Sequence, residues 1–370
     1  MSNIIDYLDW RGDITLSASP FNEIDNIILS MSTFVDLTDI VAADTSTEPI
    51  GLRGAMRAFE RVIDTRRYMG VLVFPEWLKF ARYAVRSARF GNSRVVGFVN
   101  EIDEDCGMQF AALTFLLDDG SIYVAFRGTD DTIIGWKEDL MMGFHTPVPA
   151  QTRAVAYLES IAAAHSGPIR VGGYSKGGNV AMYAAAFCNR ETKGRIIQVY
   201  NNDGPGFLPE IIQSEQFRSV EDRIITFIPQ SSVVGAMLEQ SPHHQIIKSV
   251  QTGILQHDPM SWEVRRTQFV YLDKRSRAGE QSDEALKKWI YSMSAEERER
   301  FANVLFSIID STGAKTLTDL SGAKLKNISV ILKYVRSLDK DERTMMTKAL
   351  VSLLGSRPAA DAADKKNIDS

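Results

Sequence analysis

The residues with the clearest chemical potential are Gly173-Tyr174-Ser175-Lys176-Gly177, which lie between a predicted strand and a predicted helix. This G-x-S-x-G spacing in a strand–turn–helix context is typical of a nucleophile elbow. A serine in such a sharp turn has a strained backbone, so the residues two before and two after it must be very small. Glycine occupies both positions, and the motif therefore predicts a serine hydrolase that forms an acyl-enzyme on Ser175.

Two other interpretations fit a glycine-rich turn between a strand and a helix. One is a turn without chemistry, and the other is a phosphate-binding loop. The sequence lacks the G-x-x-x-x-G-K-[ST] spacing of such a loop, which disfavours the second interpretation. The predicted helix over 177–188 consists mostly of small residues, which allows close packing beneath the turn and favours the elbow.

Alternating strands and helices indicate which elements must position Ser175. Apolar strand patterns occur at 95–99, 110–117, 122–126, 169–172, 196–200, 224–228, 245–250 and 269–272. Strands that alternate with helices predict a mostly parallel sheet with helices on both faces. We therefore predict an α/β class protein with an α/β-hydrolase core over residues 91–278.

Helical patterns flank this predicted core on both sides. We expect an N-terminal helical segment over 1–90 and a C-terminal helical extension over 279–355. The last residues, 356–370, are rich in Pro, Ala, Asp and Lys, which predicts a disordered tail.

A second motif lies upstream of the elbow. Arg127-Gly128-Thr129 ends a predicted strand and is followed by Trp136 and Asp139. Together with the elbow, this motif resembles the fungal, or class 3, lipase family, and the whole chain looks like a bacterial branch of lipase-like proteins. The resemblance covers about residues 94–272. It implies an α/β-hydrolase fold and a carboxylic ester, including a lipid ester, as the substrate.

The resemblance also implies a role for the loop after that strand. Thr129 stands where the family places its oxyanion-hole residue, so the backbone N–H groups of Thr129 and Lys176 are expected to bind the developing oxyanion. Taken without the resemblance, Thr129 has an alternative role as a cap of the following turn. Arg127 and Asp139 are expected to form a structural ion pair that braces the loop.

The sequence contains only five histidines, which limits the choice of general base. In hydrolases of this fold the histidine follows the nucleophile along the chain, which favours His257 in the loop after the predicted strand at 245–250. His243 and His244, which precede that strand, remain alternatives. Asp258 is adjacent to His257 and is expected to point away from its ring.

The acid of a catalytic triad is harder to assign. Class 3 lipases carry an Asp just after the strand corresponding to 224–228, but this sequence has no carboxylate there. Asp203, after the preceding strand, is the nearest replacement, although it also suits a simple Asx turn. A serine–histidine dyad aided by Ser231 or Ser232 remains open, as does a catalytically degenerate hydrolase fold that serves as a binding or interaction protein.

The composition argues against several other classes of protein. The net charge is −5 and no basic block interleaves with aromatic residues, so we expect no nucleic-acid partner. No apolar run reaches the roughly 18–20 residues of a membrane helix, and the acidic start of the chain is unlike a secretory signal. Cys106 and Cys188 fit neither a disulfide framework nor a metal-ligand pattern. We expect a cytoplasmic protein without a metal or organic cofactor, and the sequence identifies no protein partner.

Overall fold

A computed structural model describes residues 2–62, 75–322 and 324–355, so the predicted tail lies outside the described residues. Its strands are β1 (Ile50–Gly51), β2 (Arg94–Asp103), β3 (Met108–Leu116), β4 (Ile122–Phe126), β5 (Ile169–Tyr174), β6 (Ile196–Asn202), β7 (Ile224–Pro229), β8 (His244–Ile247), β9 (Val264–Arg265), β10 (Gln268–Phe269) and β11 (Tyr271–Leu272). Within these ranges, nine strands form one sheet in the order β1-β2-β3-β4-β5-β6-β7-β8-β11, and β9 pairs with β10.

The centre of the sheet is parallel. Strands β4 to β8 run parallel to one another, whereas β1, β2 and β3 extend one edge in antiparallel fashion and β11 closes the other edge, antiparallel to β8. This mostly parallel sheet confirms the predicted α/β fold class. Because the carboxyl ends of parallel strands meet at one edge, residues that follow β5 and β6 lie close together there.

Helices precede, accompany and follow the sheet. The N-terminal helices are α1 (Ile4–Arg11), α2 (Glu23–Ser32), α3 (Leu52–Val62), α4 (Pro75–Arg86) and α5 (Ala88–Gly91). The helices between the strands are α6 (Ile133–Met141), α7 (Pro149–Ala164), α8 (Lys176–Phe187), α9 (Arg190–Arg195), α10 (Pro209–Ile212) and α11 (Glu215–Arg218). The C-terminal helices are α12 (Arg277–Tyr291), α13 (Ala295–Asp310), α14 (Leu317–Gly322), α15 (Lys324–Ser337) and α16 (Lys340–Gly355). None of the helices in the described ranges is both long enough and apolar enough to span a membrane.

The sheet is buried on both faces, and strand β4 shows how. Its alternate residues Tyr123 and Ala125 pack into the core formed with the N-terminal helices. Ile122, Val124 and Phe126 point to the other face, where α7 and α8 cover them. The N-terminal helices therefore supply one of the two layers that enclose the sheet.

Helix α2 is fixed within this layer at its first turn. The Asn22 side chain accepts the N–H groups of Ile24 and Asp25 at 3.0 and 3.3 Å, and Asp25 in turn accepts the Asn22 N–H at 2.9 Å. The Asp25 carboxylate also accepts two hydrogen bonds from the Arg89 guanidinium, and both side chains are fully buried. This reciprocal capping and the buried ion pair hold α2 in a defined position against the sheet.

The C-terminal helices pack against the core next to α6. Phe306 and Ile133 share an apolar cluster. Main-chain hydrogen bonds join the two regions, from Ile133 N–H to Lys315 C=O at 3.0 Å and from Leu317 N–H to Asp131 C=O at 2.9 Å. The extension therefore continues the packed structure on the side of the sheet that carries the loop after β4.

Candidate active site

Ser175 occupies the sharp turn between β5 and α8. Its backbone has φ 58° and ψ −132°, a conformation that residues other than glycine rarely adopt. The Ser175 N–H donates to the Asn202 carbonyl at 2.9 Å, and the Ser175 carbonyl accepts the Gly178 N–H at 2.9 Å. The surrounding structure thus holds a strained residue from both sides, as a nucleophile elbow requires.

The two glycines of the elbow lie too close to their neighbours for any side chain. A Cβ on Gly173 would lie 2.2 Å from the carbonyl carbon of Gly177. A Cβ on Gly177 would lie 2.2 Å from the carbonyl oxygen of Phe126. The turn can fold tightly against the end of β4 only because both positions are glycine, which is the reason that the sequence motif is informative.

The imidazole of His257 lies between Ser175 and Asp203. His257 Nε2 is 3.0 Å from Ser175 Oγ, and His257 Nδ1 is 2.7 Å from Asp203 Oδ2. When the ring carries its proton on Nδ1, that N–H donates to the carboxylate and Nε2 accepts from the serine hydroxyl. The structure therefore brings together the three side chains that the sequence predicts to be the nucleophile, the base and the acid.

Asp203 reaches the imidazole from the loop after β6. Its backbone is in the left-handed region with φ 53°, and its N–H donates to the Phe227 carbonyl at 2.9 Å. The carboxylate is fully buried, and Oδ2 also accepts the Ser232 hydroxyl at 2.8 Å. Burial raises the pKa of Asp203, although hydrogen bonds from His257 and Ser232 oppose the shift. Ser232 lies in the segment after β7, where the sequence lacks the expected acid. Its hydroxyl donates to Asp203, which follows the neighbouring strand β6.

The other candidates for base and acid lie elsewhere. His243 and His244 are exposed at the amino end of β8, whereas Ser175 follows the carboxyl end of the parallel strand β5. Asp258 caps the short turn after His257, since its Oδ1 accepts the Met260 N–H at 3.0 Å.

The loop after β4 passes directly beside Ser175. A Cβ on Gly128 would lie 3.1 Å from Ser175 Cβ and 2.6 Å from the Tyr174 carbonyl oxygen. Thr129 is the next residue, and its hydroxyl donates to Asp139 Oδ2 at 2.5 Å. Lys176 is the first residue of α8, so its N–H is one of the helix-start amides that lack an intrahelical acceptor. Both predicted oxyanion residues are thus neighbours of the nucleophile.

The region that contains this site also matches the model of a protein family. The Mbeg1-like family model matches residues 84–307, which is more than half of the chain. The chain belongs to the Mbeg1-like family. The match includes Ser175, Asp203 and His257. Membership of this lipase-like family, together with the mostly parallel sheet, confirms the resemblance and the fold that the two motifs predict.

Several solved structures are similar to this Mbeg1-like chain. The M37 lipase shares 14% identity with a TM-score of 0.36 and covers 57% of this chain and 68% of its own. A mutant form of MDLA from Penicillium cyclopium shares 11% identity, with a TM-score of 0.37 and coverages of 68% and 86%. A fungal lipase–inhibitor complex shares 13% identity, with a TM-score of 0.32 and coverages of 60% and 78%. No curated protein matches the chain. Because these identities and TM-scores are low, the chemistry must be inferred from the site itself.

In this Mbeg1-like protein the side chain of Lys176 is buried beneath the elbow. It is 2% exposed, and its Nζ donates to the carbonyl and the side-chain oxygen of Gln109 at 2.8 and 2.6 Å. The ammonium also pairs with Glu138 Oε2 at 3.0 Å. Glu138 in turn accepts the N–H groups of Gln109 and Ala150 at 3.1 and 2.8 Å. No feature of the sequence indicated this role, since a lysine in a short motif is usually an exposed residue.

The two charged residues of the upstream motif have separate partners, so the prediction that they pair with each other is corrected. The Arg127 guanidinium donates to Asp130 at 2.9 Å and to Asn100 at 2.8 Å, whereas Asp139 accepts the Thr129 hydroxyl. Burial raises the pKa of Asp139 to about 6, and the Lys176 ammonium opposes the shift. Asp139 therefore fixes the Thr129 side chain rather than the arginine.

Tyr174 is a further member of the site that the sequence did not identify. Its ring stacks on the His257 imidazole with centroids 4.7 Å apart, and its hydroxyl donates to the His257 carbonyl at 2.5 Å. Phe34 and Trp77 from the N-terminal segment pack against Tyr174 at centroid distances of 6.2 and 6.0 Å. The only sequence signal was the position of Tyr174 immediately before the nucleophile.

Proposed function

We propose that this chain is a serine hydrolase that cleaves a carboxylic ester through an acyl-enzyme on Ser175. The observation that carries the proposal is the alignment of three side chains, with His257 Nε2 3.0 Å from Ser175 Oγ and His257 Nδ1 2.7 Å from Asp203 Oδ2. These distances lie within the range for direct proton transfer between a nucleophile and its base.

In the first half of the reaction, His257 Nε2 takes the hydroxyl proton while Ser175 Oγ attacks the ester carbonyl. The negative charge of Asp203 holds the proton of the ring on Nδ1 and stabilises the imidazolium that forms. Because Asp203 is fully buried, its attraction to the imidazolium is weakly screened by water. Collapse of the tetrahedral intermediate transfers the proton from Nε2 to the leaving alcohol and forms the acyl-enzyme.

The negative charge that develops on the carbonyl oxygen requires hydrogen-bond donors that point at this oxygen. The backbone N–H groups of Thr129 and Lys176 fill this role in the proposal. Lys176 begins α8, and the partial positive charge at the start of that helix favours an anion at the same place. Loss of one such donor typically lowers the rate by about 10²–10³-fold.

In the second half, a water molecule replaces the alcohol. His257 takes a proton from this water, which attacks the acyl carbonyl, and the ring then returns the proton to Ser175 Oγ as the acid leaves. The imidazole of His257 therefore takes part in every proton transfer of the two half-reactions.

Two exposed apolar side chains close to His257 along the chain favour an ester with an apolar acyl group. Ile254 and Leu255 lie in the short turn that ends at His257, and they are 61% and 54% exposed. Large apolar side chains that are exposed in a loop carrying a reactive residue suit contact with an apolar ligand. We therefore include lipid esters in the proposed substrate class. The cytoplasmic location stays a prediction from the sequence.

The alternative is a hydrolase fold that binds without catalysis. The missing acid after β7 favours this alternative. The position of Asp203, within hydrogen-bonding distance of His257, supports the hydrolase instead. The alternative remains one outcome of the experiment that follows.

A panel of p-nitrophenyl esters with acyl chains of increasing length tests the proposal. The purified protein should release nitrophenol, and Ser175→Ala should abolish turnover. Ser160→Ala is the matched control and should keep the wild-type rate, because the Ser160 hydroxyl donates to the Tyr157 carbonyl within α7. Absence of turnover for every ester, or equal rates for wild type and Ser175→Ala, would instead favour the binding protein.

A further inference from the structure

We infer that Asn26, in the N-terminal helix α2, is a positioning residue of the Ser175 site. The inference rests on the proposed function. Asn26 lies outside the residues that the family model matches, yet α2 packs against β5, the strand that leads into the elbow. Its side chain is fully buried, so a polar group there must be hydrogen-bonded within the protein.

A buried pair of amides connects α2 to the end of β6. Asn26 Nδ2 donates to Asn202 Oδ1 at 2.7 Å, and Asn202 Nδ2 donates back to Asn26 Oδ1 at 3.1 Å. The Tyr123 hydroxyl donates to Asn26 Oδ1 at 2.6 Å, and the hydroxyls of Ser30 and Tyr123 lie 2.8 Å apart. All four side chains are buried. A closed network of this kind permits one orientation of the Asn202 amide and disfavours the others.

Asn202 is the residue through which this network reaches the catalytic side chains. Its carbonyl accepts the Ser175 N–H at 2.9 Å, and its Nδ2 donates to the Gly173 carbonyl at 2.9 Å. Asp203 is the next residue along the chain. A shift of Asn202 would therefore move both the nucleophile and the acid relative to His257.

The strained backbone of the site makes this positioning consequential. Ser175 and Asp203 both have positive φ values, of 58° and 53°, and such conformations persist only when the surrounding structure holds them. Displacement of a reacting group by about 1 Å can lower a rate by about 100-fold. Because Asn26 is fully buried it is not available to contact a substrate, so its loss should lower kcat and leave KM nearly unchanged.

Asn26→Leu tests the inference because it keeps the approximate volume and removes the partner of Asn202. Ile28→Ala is the control, since Ile28 is a fully buried apolar residue of the same helix and its truncation also lowers stability. The measurements are the melting temperature, kcat and KM for p-nitrophenyl butyrate, and the rate constant of reaction with a fluorophosphonate probe. We expect Asn26→Leu to lower kcat and the probe rate about 10- to 100-fold. Ile28→Ala should stay within about twofold of wild type at an equal or larger loss of melting temperature.

Wild-type rates in Asn26→Leu, or losses in both variants that follow stability alone, would overturn the inference while the wild-type reaction still supports the proposed function. A wild-type protein that neither turns over the ester nor reacts with the probe would overturn both. If Asn26→Leu does not melt cooperatively, Tyr123→Phe carries the test, because it removes only the hydroxyl that binds Asn26. This variant should lower kcat several-fold with an unchanged KM, and a wild-type kcat would contradict the inference.

Discussion

The ring of Tyr174 lies against the imidazole of His257 at a centroid distance of 4.7 Å and an interplanar angle of 28°. The Tyr174 hydroxyl also donates to the main-chain carbonyl of His257 at 2.5 Å. Because Tyr174 directly precedes Ser175, the residue beside the nucleophile also holds the loop of the base. Burial raises the pKa of Tyr174 well above its usual value, so its hydroxyl stays a donor at every pH at which the protein would work.

Substitution of Tyr174 should separate its two contacts. Tyr174→Phe keeps the stacking and loses the hydrogen bond, which is worth about 0.5–1.5 kcal/mol and predicts a kcat lowered by about 2- to 10-fold. Tyr174→Leu loses both contacts and should lower kcat further. Steady-state kinetics on a nitrophenyl ester checks the order, with Tyr183→Phe in α8 as the control. Equal activity in both Tyr174 variants and the wild type would show that the imidazole is held by other means.

The acid is the next point to test, since Asp203 lies 2.7 Å from His257 Nδ1. Asp203→Asn keeps the shape of the side chain but favours the wrong tautomer of the imidazole. In a triad that change lowers kcat by about 10⁴-fold. Asp258→Asn, at the position adjacent to His257, should retain wild-type kinetics because asparagine also caps a turn. A decrease of less than tenfold in Asp203→Asn would indicate a serine–histidine dyad.

Removal of one partner of the buried Lys176–Glu138 pair should strongly lower the free energy of unfolding. Lys176→Met leaves the Glu138 carboxylate buried without its cation, a change that typically costs about 3–5 kcal/mol of the free energy of unfolding. The double variant Lys176→Met/Glu138→Leu should lose much less than the two single variants together. Urea denaturation measures this coupling, and Lys315→Met at the exposed Lys315–Glu104 pair should change stability little. Strictly additive losses at Lys176 and Glu138 would contradict a direct interaction.

Asp139 should make stability depend on pH in the mildly acidic range. Its pKa is about 6 in the folded protein and 3.8 for a free aspartate side chain, so the folded state binds the proton more tightly. Protonation of Asp139 therefore stabilises the folded state. This stabilisation is fully present below about pH 3.8 and is lost as the pH rises through 6. Asp139→Asn removes it, so the stability of the variant relative to wild type should rise by about 2–3 kcal/mol between about pH 4 and pH 7. Urea denaturation across this range checks the prediction, and parallel pH profiles would contradict it.

Short-range features of the sequence predicted the part of the site that depends on local geometry. Gly173 and Gly177 predicted the elbow because their spacing reflects contacts within one turn. The chain order of hydrolase residues favoured His257, and the absence of a carboxylate after β7 led to Asp203. In the structure His257 lies within hydrogen-bonding distance of both Ser175 and Asp203, while the catalytic roles of the three residues stay predictions.

The supporting contacts could not be predicted in the same way, because they join residues that are distant in sequence. Hydrophobic periodicity predicts an apolar face on α2, but it does not show that the Asn26 side chain bonds to Asn202 at the end of β6. The burial of Lys176 depends on the convergence of Gln109 and Glu138 from β3 and α6. The predicted pairing of Arg127 with Asp139 was wrong because the Arg127 guanidinium donates to Asp130 and Asn100 instead. The sequence did not indicate that these two side chains lie beside it.

Reaction of the full chain with a fluorophosphonate probe, followed by mass spectrometry of the intact protein and its peptides, tests whether Ser175 is a working nucleophile. We expect one covalent adduct per chain, on Ser175, which is absent from Ser175→Ala and forms far more slowly in His257→Ala. An unmodified wild-type protein, or an adduct that persists in Ser175→Ala, would contradict the assignment of Ser175 as the nucleophile.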